Sequence, residues 1–485
     1  MRVFLSFFIF LLLILCGLLA LNTLNYSSKQ PQTASNNNPV LKEFPLAAQR
    51  LSKAIEFKTI SCEQESDTSF FSAFRALHRF FDESYPLISK KLLKVKFGEF
   101  SLLYKWEGKN KELPPIVLMA HQDVVPVSEI EISQWKFPPF SGKITQDTIW
   151  GRGTLDDKVG LMCILEAGEA LLAEGFAPDR TIYFAFGHDE EIGGKRGAKK
   201  IAEYLETRGD HAYFILDEGL TITQGLVPKI DSPVALIGTT EKGYMTVELA
   251  VNHTGGHSSM PAKHTAIDIL AENIARLKRK TFTAVFTKPV DAFLDYIGPE
   301  MPYPEKVVFA NRWLFDPVIK NIYSQSNAGN ALIRTTTAPT IFQSGVKDNV
   351  LPHSARAVVN FRLLPGTSQA DVRQHLHSVL DTAQVSIKVV VFSESPPLSS
   401  ITSESFQYIS KTIQKVYSNV LIAPSLLIAG TDSKHYRKIS DNIYRFLPVF
   451  LTPKNISQIH GVNERIATKD LIYAANFYYE LIRNI

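Results

Sequence analysis

Gly187-His188-Asp189-Glu190-Glu191-Ile192-Gly193-Gly194 follows directly on Thr181-Ile-Tyr-Phe-Ala-Phe186. The aromatic and β-branched run reads as a buried strand, which puts the acidic stretch at its carboxyl end. Three consecutive acids at a strand end are costly, because like charges repel and resist desolvation. A bound cation removes that cost. Two adjacent carboxylates with different tasks, one holding a metal and one moving a proton, then account for the cluster. Taken alone, Asp189-Glu190-Glu191 also fits a solvated loop, so the reading turns on where other candidate ligands lie.

They lie at the ends of similar apolar runs. Pro115-Ile-Val-Leu-Met-Ala120 predicts a short strand that ends at His121-Gln-Asp123. There Asp123 can orient the second ring nitrogen of His121, as a carboxylate commonly does for a metal-bound imidazole. Gly151-Arg-Gly-Thr-Leu-Asp156-Asp157-Lys leads straight into a helix marked by Leu161, Ile164, Leu165, Gly168 and Leu172. Asp156 falls at that helix's amino terminus, where the dipole favours negative charge. Ala212-Tyr-Phe-Ile-Leu216 predicts another strand, ending in Asp217-Glu-Gly. Strands alternating with helices imply a mainly parallel α/β sheet flanked by helices, whose sites gather at the strands' carboxyl ends.

The pattern changes near Lys242. Thr246–Asn252 and Ala355–Leu364 alternate as half-exposed strands do, and helices are predicted near 266–277 and 369–383. A further strand is expected at 386–392. This marks a smaller inserted α+β domain (242–393) between two parts of a catalytic domain (41–241 and 394–485). Phe282, Phe286, Phe293, Tyr296, Phe309, Trp313, Leu314 and Phe315 make its middle unusually aromatic. An apolar groove for a fatty acyl group explains that richness, and so does a domain core or a dimer interface.

Val3–Leu21 is an almost unbroken apolar run after Arg2, long enough to cross a bilayer. Residues 1–21 therefore read as a signal anchor or a cleaved signal peptide, and either way the body is exported, membrane-bound or secreted. Residues 22–40, rich in Asn, Ser, Gln and Thr, read as a polar tether. A net charge of +4 on 485 residues, with no basic tract, argues against nucleic acid as a partner. Three cysteines, one of them in the apolar segment, leave no thiolate metal site. Any metal must be held by His, Asp and Glu, and His121, Asp156, Glu191, Asp217 and His460 are the candidates. Imidazole with carboxylate suits zinc.

Nine motifs in one order now carry a resemblance. They are His121-Gln-Asp123, Gly151-Arg-Gly-Thr-Leu-Asp156-Asp157-Lys, Asp189-Glu190-Glu191, Asp217-Glu-Gly, Gly256-His257-Ser-Ser-Met-Pro, Asn349-Val-Leu-Pro, Asn360-Phe-Arg362, Gly430-Thr431-Asp432 and His460-Gly-Val-Asn-Glu464. The sequence resembles the di-zinc metallopeptidase and aminoacylase family that includes carboxypeptidase S and the secreted N-acyl-amino-acid synthase/hydrolase. The resemblance implies a di-zinc exopeptidase fold with a lid or dimerisation domain, and two zinc ions bridged by Asp156 beside a cis Asp156–Asp157 peptide. It further implies that His121 and Asp217 complete one ion site and Glu191 and His460 the other. Glu190 would be the general base, with Asp123 behind His121. His257 would donate to the oxyanion, from the same chain or a homodimer partner. Arg362 and Asn349 would grip a substrate α-carboxylate, with Gly430 and Thr431 lining that end. The implied substrate is a small molecule, an N-acyl amino acid or a short peptide, cut at the amide. A binding protein that kept only the fold would show a damaged ligand set, and none is visible; a one-metal or non-zinc hydrolase stays open.

Overall fold

The computed structural model describes residues 1–31, 39–63 and 70–485. The parallel core of the main sheet is short and wholly buried. Ile116–His121 lies between Ile182–Gly187 and Phe214–Asp217, parallel to both, and Ile443–Arg445 continues in parallel beyond Phe214–Asp217. Antiparallel strands widen it on both sides. Ser101–Trp106 and Leu93–Phe97 extend one edge, and Val234–Glu241 takes the other, carrying Leu421–Leu427 and Ile222–Thr223.

Side chains on a strand point alternately to opposite faces, so a central strand needs cover on both. Leu118, Ala120, Phe184 and Phe186 join the larger core, with Val159, Leu161 and Leu165 of the helix Lys158–Ala173. Val117, Met119, Tyr183 and Ala185 meet Ala198, Ile201 and Leu205 of the helix Ala198–Thr207 on the other side. The terminal helix Thr468–Arg483 packs against Lys158–Ala173, so the last turns of chain close the core begun by the first.

A separate four-stranded antiparallel sheet has the order Thr336–Ser344, Ser354–Leu363, Gly243–Asn252, Ser386–Ser393. One face, with Met245, Val247, Leu249, Val359 and Phe361, is covered by the helices Ala266–Arg279 and Gln369–Val379. Both helices start with a reciprocal cap, Thr265 with Asp268 and Ser368 with Asp371, which satisfies orphan N–H groups of the first turn. The fold is thus the expected α/β arrangement with a smaller α+β part.

Two stretches differ from the sequence reading. The aromatic section is helical (Lys288–Ile297, Tyr303–Ala310, Arg312–Ser324 and Asn327–Ile333), and Val290, Phe293, Leu294 and Ile297 pack with Ile230, Val234, Ala423 and Leu426 of the main body. Phe282 stacks on His375, Phe286 meets Tyr323 and Tyr296 meets Phe406, so most of these rings are spent on packing. The stretch expected as a tether is fastened where it is described, while residues 32–38 lie outside the described residues. Asn22 Nδ2 donates to Asn311, Tyr26 Oη to the Leu294 carbonyl, and Gln30 exchanges two hydrogen bonds with the Ile422 backbone. Polar side chains there bind side-chain and backbone groups of the body.

Phe184 is fully buried between the sheet and the helix Lys158–Ala173, with Gly168 directly opposite its ring. Phe184→Ala is expected to cost about 3–5 kcal/mol through lost burial and an unfilled cavity, measured as a lowered urea midpoint at unchanged slope.

Candidate metal centre

The cluster assembles at the carboxyl ends of the parallel strands. His121 ends its strand in register with Gly187, which starts the acidic loop. After that loop's first residues, Glu190–Ile192 form a single 3-10 turn. The backbone N–H groups of Glu190 and Glu191 donate to the two carboxylate oxygens of Asp123 at 3.2 and 3.1 Å, and Ser61 Oγ donates at 2.7 Å. Asp123 therefore fixes the acidic turn. His121 Nδ1 faces the Asp123 carbonyl at 3.0 Å and its carboxylate at 3.4 Å, which leaves Nε2 turned to the cluster.

Asp156 stands in the middle. Its Oδ1 lies 2.9 Å from His121 Nε2 and its Oδ2 lies 2.9 Å from His460 Nε2, so one carboxylate joins two imidazoles. The Asp156–Asp157 peptide is cis. The glycine turn before it is obligatory: Gly153 has φ +89°, and a Cβ there would stand 2.7 Å from Val124 Cγ1. His460 also lies 3.3 Å from Glu191 Oε2. Glu190 and Glu218 each bring a carboxylate oxygen within ligand-sharing distance of His121.

Of the five expected ligands, His121, Asp156, Glu191 and His460 converge. Asp217 ends its strand with one oxygen accepting from the Glu218 N–H (3.0 Å) and the other from the Ser433 N–H (2.8 Å), which leaves further lone pairs on the carboxylate. Glu218, one residue beyond the strand, also stands at the cluster, its Oε1 4.0 Å from His121 Nε2.

The charge of the cluster is poorly met by the protein alone. Burial pushes the Glu190 and Glu218 carboxyls well up, and Glu191 rises for the same reason. Hydrogen bonds to Asp156 and Glu191 push His460 up to about 10. For His121, burial pulls downward, but its bonds to Asp123 and Asp156 outweigh it and hold the imidazole well above its ordinary value. Protons thus collect wherever cations are wanted. Glu191 Oε1 is buried with no hydrogen-bond partner among the described residues, as expected of an oxygen reserved for a metal. The donor set of two imidazoles and several carboxylates fits zinc and excludes a thiolate site.

Residues that the sequence motifs contain without a holding role, Arg152 and Glu464 among them, keep the site in place. Glu464 is fully buried and accepts from Arg152 Nη1 (2.6 Å) and from the N–H groups of Gly153 and Leu155 (3.0 and 2.8 Å). Arg152 donates again to the His460 carbonyl at 2.9 Å, so one ion pair ties the Asp156 loop to the His460 loop. Glu241 binds Arg445 and both donors of Thr431 at 3.0–3.1 Å. The proximity of Glu464 to His460 was its only sequence signal.

The remaining expected residues do not sit together: Arg362 pairs with Tyr244 at one end of the smaller sheet, and His257 and Asn349 lie beyond the other end, where Ser354 pairs with Asn252. Arg362 stacks over Tyr244 at 4.8 Å, and a Cβ on Gly430 would lie 3.9 Å from Arg362 Nη1, so the glycine leaves space beside the guanidinium. His257 is exposed on a two-residue ribbon paired with Val350–Leu351, and its Nδ1 accepts from Ser259. The exposed Asn349 accepts at its carbonyl from the Ser258 N–H. No hydrogen bond or ion pair among the described residues joins His257 to the acidic cluster.

The chain is 40% identical over 476 residues to a probable carboxypeptidase S-like 2 of Dictyostelium discoideum, covering 96% of this chain and 91% of that one. It is 38% identical over 447 residues to the N-fatty-acyl-amino acid synthase/hydrolase PM20D1 of Xenopus tropicalis, covering 91% and 86%. An M20 family metallo-carboxypeptidase, Sso-CP2 from Sulfolobus solfataricus, shares the fold with a TM-score of 0.66 at 21% identity, over 91% of this chain and 99% of that one. The model of peptidase family M20/M25/M40 matches residues 117–484, from the strand that carries His121 to the terminal helix, and the chain belongs to that family.

Proposed function

We propose that this protein is a di-zinc amidohydrolase that cleaves the amide of an N-acylated or C-terminal amino acid. The observation that carries the proposal is Asp156, whose two oxygens each lie 2.9 Å from a different imidazole beside Glu190 and Glu191. In this reading His121, Asp156, Glu191, Glu218 and His460 hold the ions, with Glu218 replacing Asp217. Bound divalent cations supply Lewis acidity, polarising a carbonyl and lowering the pKa of a water.

The chain's own groups do the rest. Glu190, raised in proton affinity by burial, takes the proton of the attacking water and returns it to the departing amine. Asp123 keeps Glu190 in place through the backbone of the acidic turn and keeps Nδ1 of His121 occupied. Arg362, with the room left by Gly430, pairs with the α-carboxylate of the substrate through two parallel hydrogen bonds. Thr431 lines that end, and Asn349, which lies beside His257, joins it on closure of the smaller sheet or from a second copy. His257 donates to the developing oxyanion, either on closure of the smaller sheet or from a second copy of the chain. The helix Arg2–Asn25 anchors the exported body to a membrane.

The names of the relatives support both an N-fatty-acyl amino acid and a peptide as substrate. The N-acyl reading is preferred because it suits a protein held at a bilayer. Hydrolysis rates for N-acyl amino acids of rising chain length, against dipeptides and with a chelator control, decide the matter. We expect kcat/KM to rise with acyl length and chelator to abolish turnover; a flat or falling series would favour the peptidase.

Glu190→Gln should retain metal by elemental analysis while kcat falls about 10²- to 10⁴-fold, the range for loss of a general base. Glu218→Gln should lower the metal content and Asp217→Asn should leave most of it. The reverse order would restore Asp217 as the ligand.

A further inference from the structure

The helix Arg312–Ser324 is apolar outside as well as inside, where Ile319 is buried and Tyr323 meets Phe286. Its charged residues turn inward, with Arg312 paired to Asp291 and Asp316, and Lys320 lying over the Phe286 ring at 5.1 Å. Its outer stripe is apolar: Trp313, Leu314, Val318 and Ile322 are 61, 40, 52 and 59% exposed. An ordinary surface helix shows water the opposite pattern. Tyr303, at the start of the preceding helix Tyr303–Ala310, is 68% exposed as well.

What covers this stripe follows from how the amino-terminal helix is mounted. Arg2–Asn25 packs against Tyr303–Ala310, and Asn311, fully buried at the joint, donates to the Leu19 carbonyl at 3.2 Å and accepts from Asn22. Only Leu15, Leu19, Asn22 and Thr23 on the helix are covered, while residues 1–14 stand clear of the body. At 1.5 Å per residue the free part reaches about 21 Å, and a bilayer's hydrocarbon core is about 30 Å thick. The rest of the span must come from the turns that are bolted to the body. The surface beside those turns is then drawn into the lipid, to the depth at which interfacial helices lie.

We infer that the helices Tyr303–Ala310 and Arg312–Ser324 form a second membrane contact, seating the catalytic body on the bilayer through Trp313, Leu314, Val318 and Ile322. This rests on the reading of Arg2–Asn25 as an anchor, and it does not depend on which amide is cleaved. Aromatic residues at the rim are suited to the headgroup boundary, and the branched aliphatic side chains to the acyl region.

The full chain in phosphatidylcholine vesicles with brominated acyl chains provides the test. Flotation with the vesicles reports the anchor, and quenching of tryptophan emission, corrected with Trp313→Phe, reports the face. We expect flotation and marked quenching of Trp313. The doubly substituted Val318→Glu, Ile322→Glu protein should still float and melt at the same temperature while the Trp313 quenching is lost. Flotation without quenching in the unsubstituted protein would overturn the inference and leave the anchor intact. So would a two-chain particle with Trp313 shielded from brominated lipid, which would make a second copy the occupant. Failure to float would remove both.

Discussion

Glu464 and Arg152 are the joint on which the metal centre depends. A buried ion pair contributes little net stability when compared with a well-packed apolar pair, but breaking it strands a charge and costs about 3–5 kcal/mol. Here the pair also carries information. Glu464 holds the Asp156 loop by three N–H groups, those of Gly153, Leu155 and Asp156, and Arg152 reaches on to the carbonyl of His460. The spacing between Asp156 and His460 is therefore set by a group that neither binds a metal nor touches a substrate. A similar arrangement serves the acidic turn, where Asp123 accepts from both Glu190 and Glu191. Three buried carboxylates that do no chemistry, Asp123, Glu464 and Glu241, thus hold the loops that carry the reactive ones.

Much of this could be read from the chain alone, because each converging residue ends a run of apolar side chains. His121 closes one buried strand, Glu190 and Glu191 follow another, and Asp156 follows a glycine turn at a helix start. Which of Asp217 and Glu218 serves the cluster could not be read. Two adjacent acids look alike in a sequence, and the Ser433 N–H that binds Asp217 comes from more than two hundred residues later. Nor could the role of Asn22 to Gln30: polar side chains look the same in a sequence whether they meet water or a backbone carbonyl. The aromatic section gave no clean helical period either, since prolines interrupt it and its rings are shared between two cores.

The electrostatics explain why a cluster so unfavourable in a bare protein persists. Glu190, Glu191 and Glu218 are all pushed toward the protonated form, and both histidines toward the charged form. A cation bound among these groups competes with those protons, so its affinity depends on pH.

The order in which the chain is made adds one more consequence. Arg152 and the His460 carbonyl it holds are 308 residues apart, and the helix that seals the core, Thr468–Arg483, comes later still. During synthesis amino-terminal segments emerge first, so residues 123–218 are made well before the residues that fix the Asp156 loop. A product that stops short of Ile459 lacks His460, Glu464 and the helix that seals the core. For this fold, then, a lesion near the carboxyl terminus imitates the loss of a ligand.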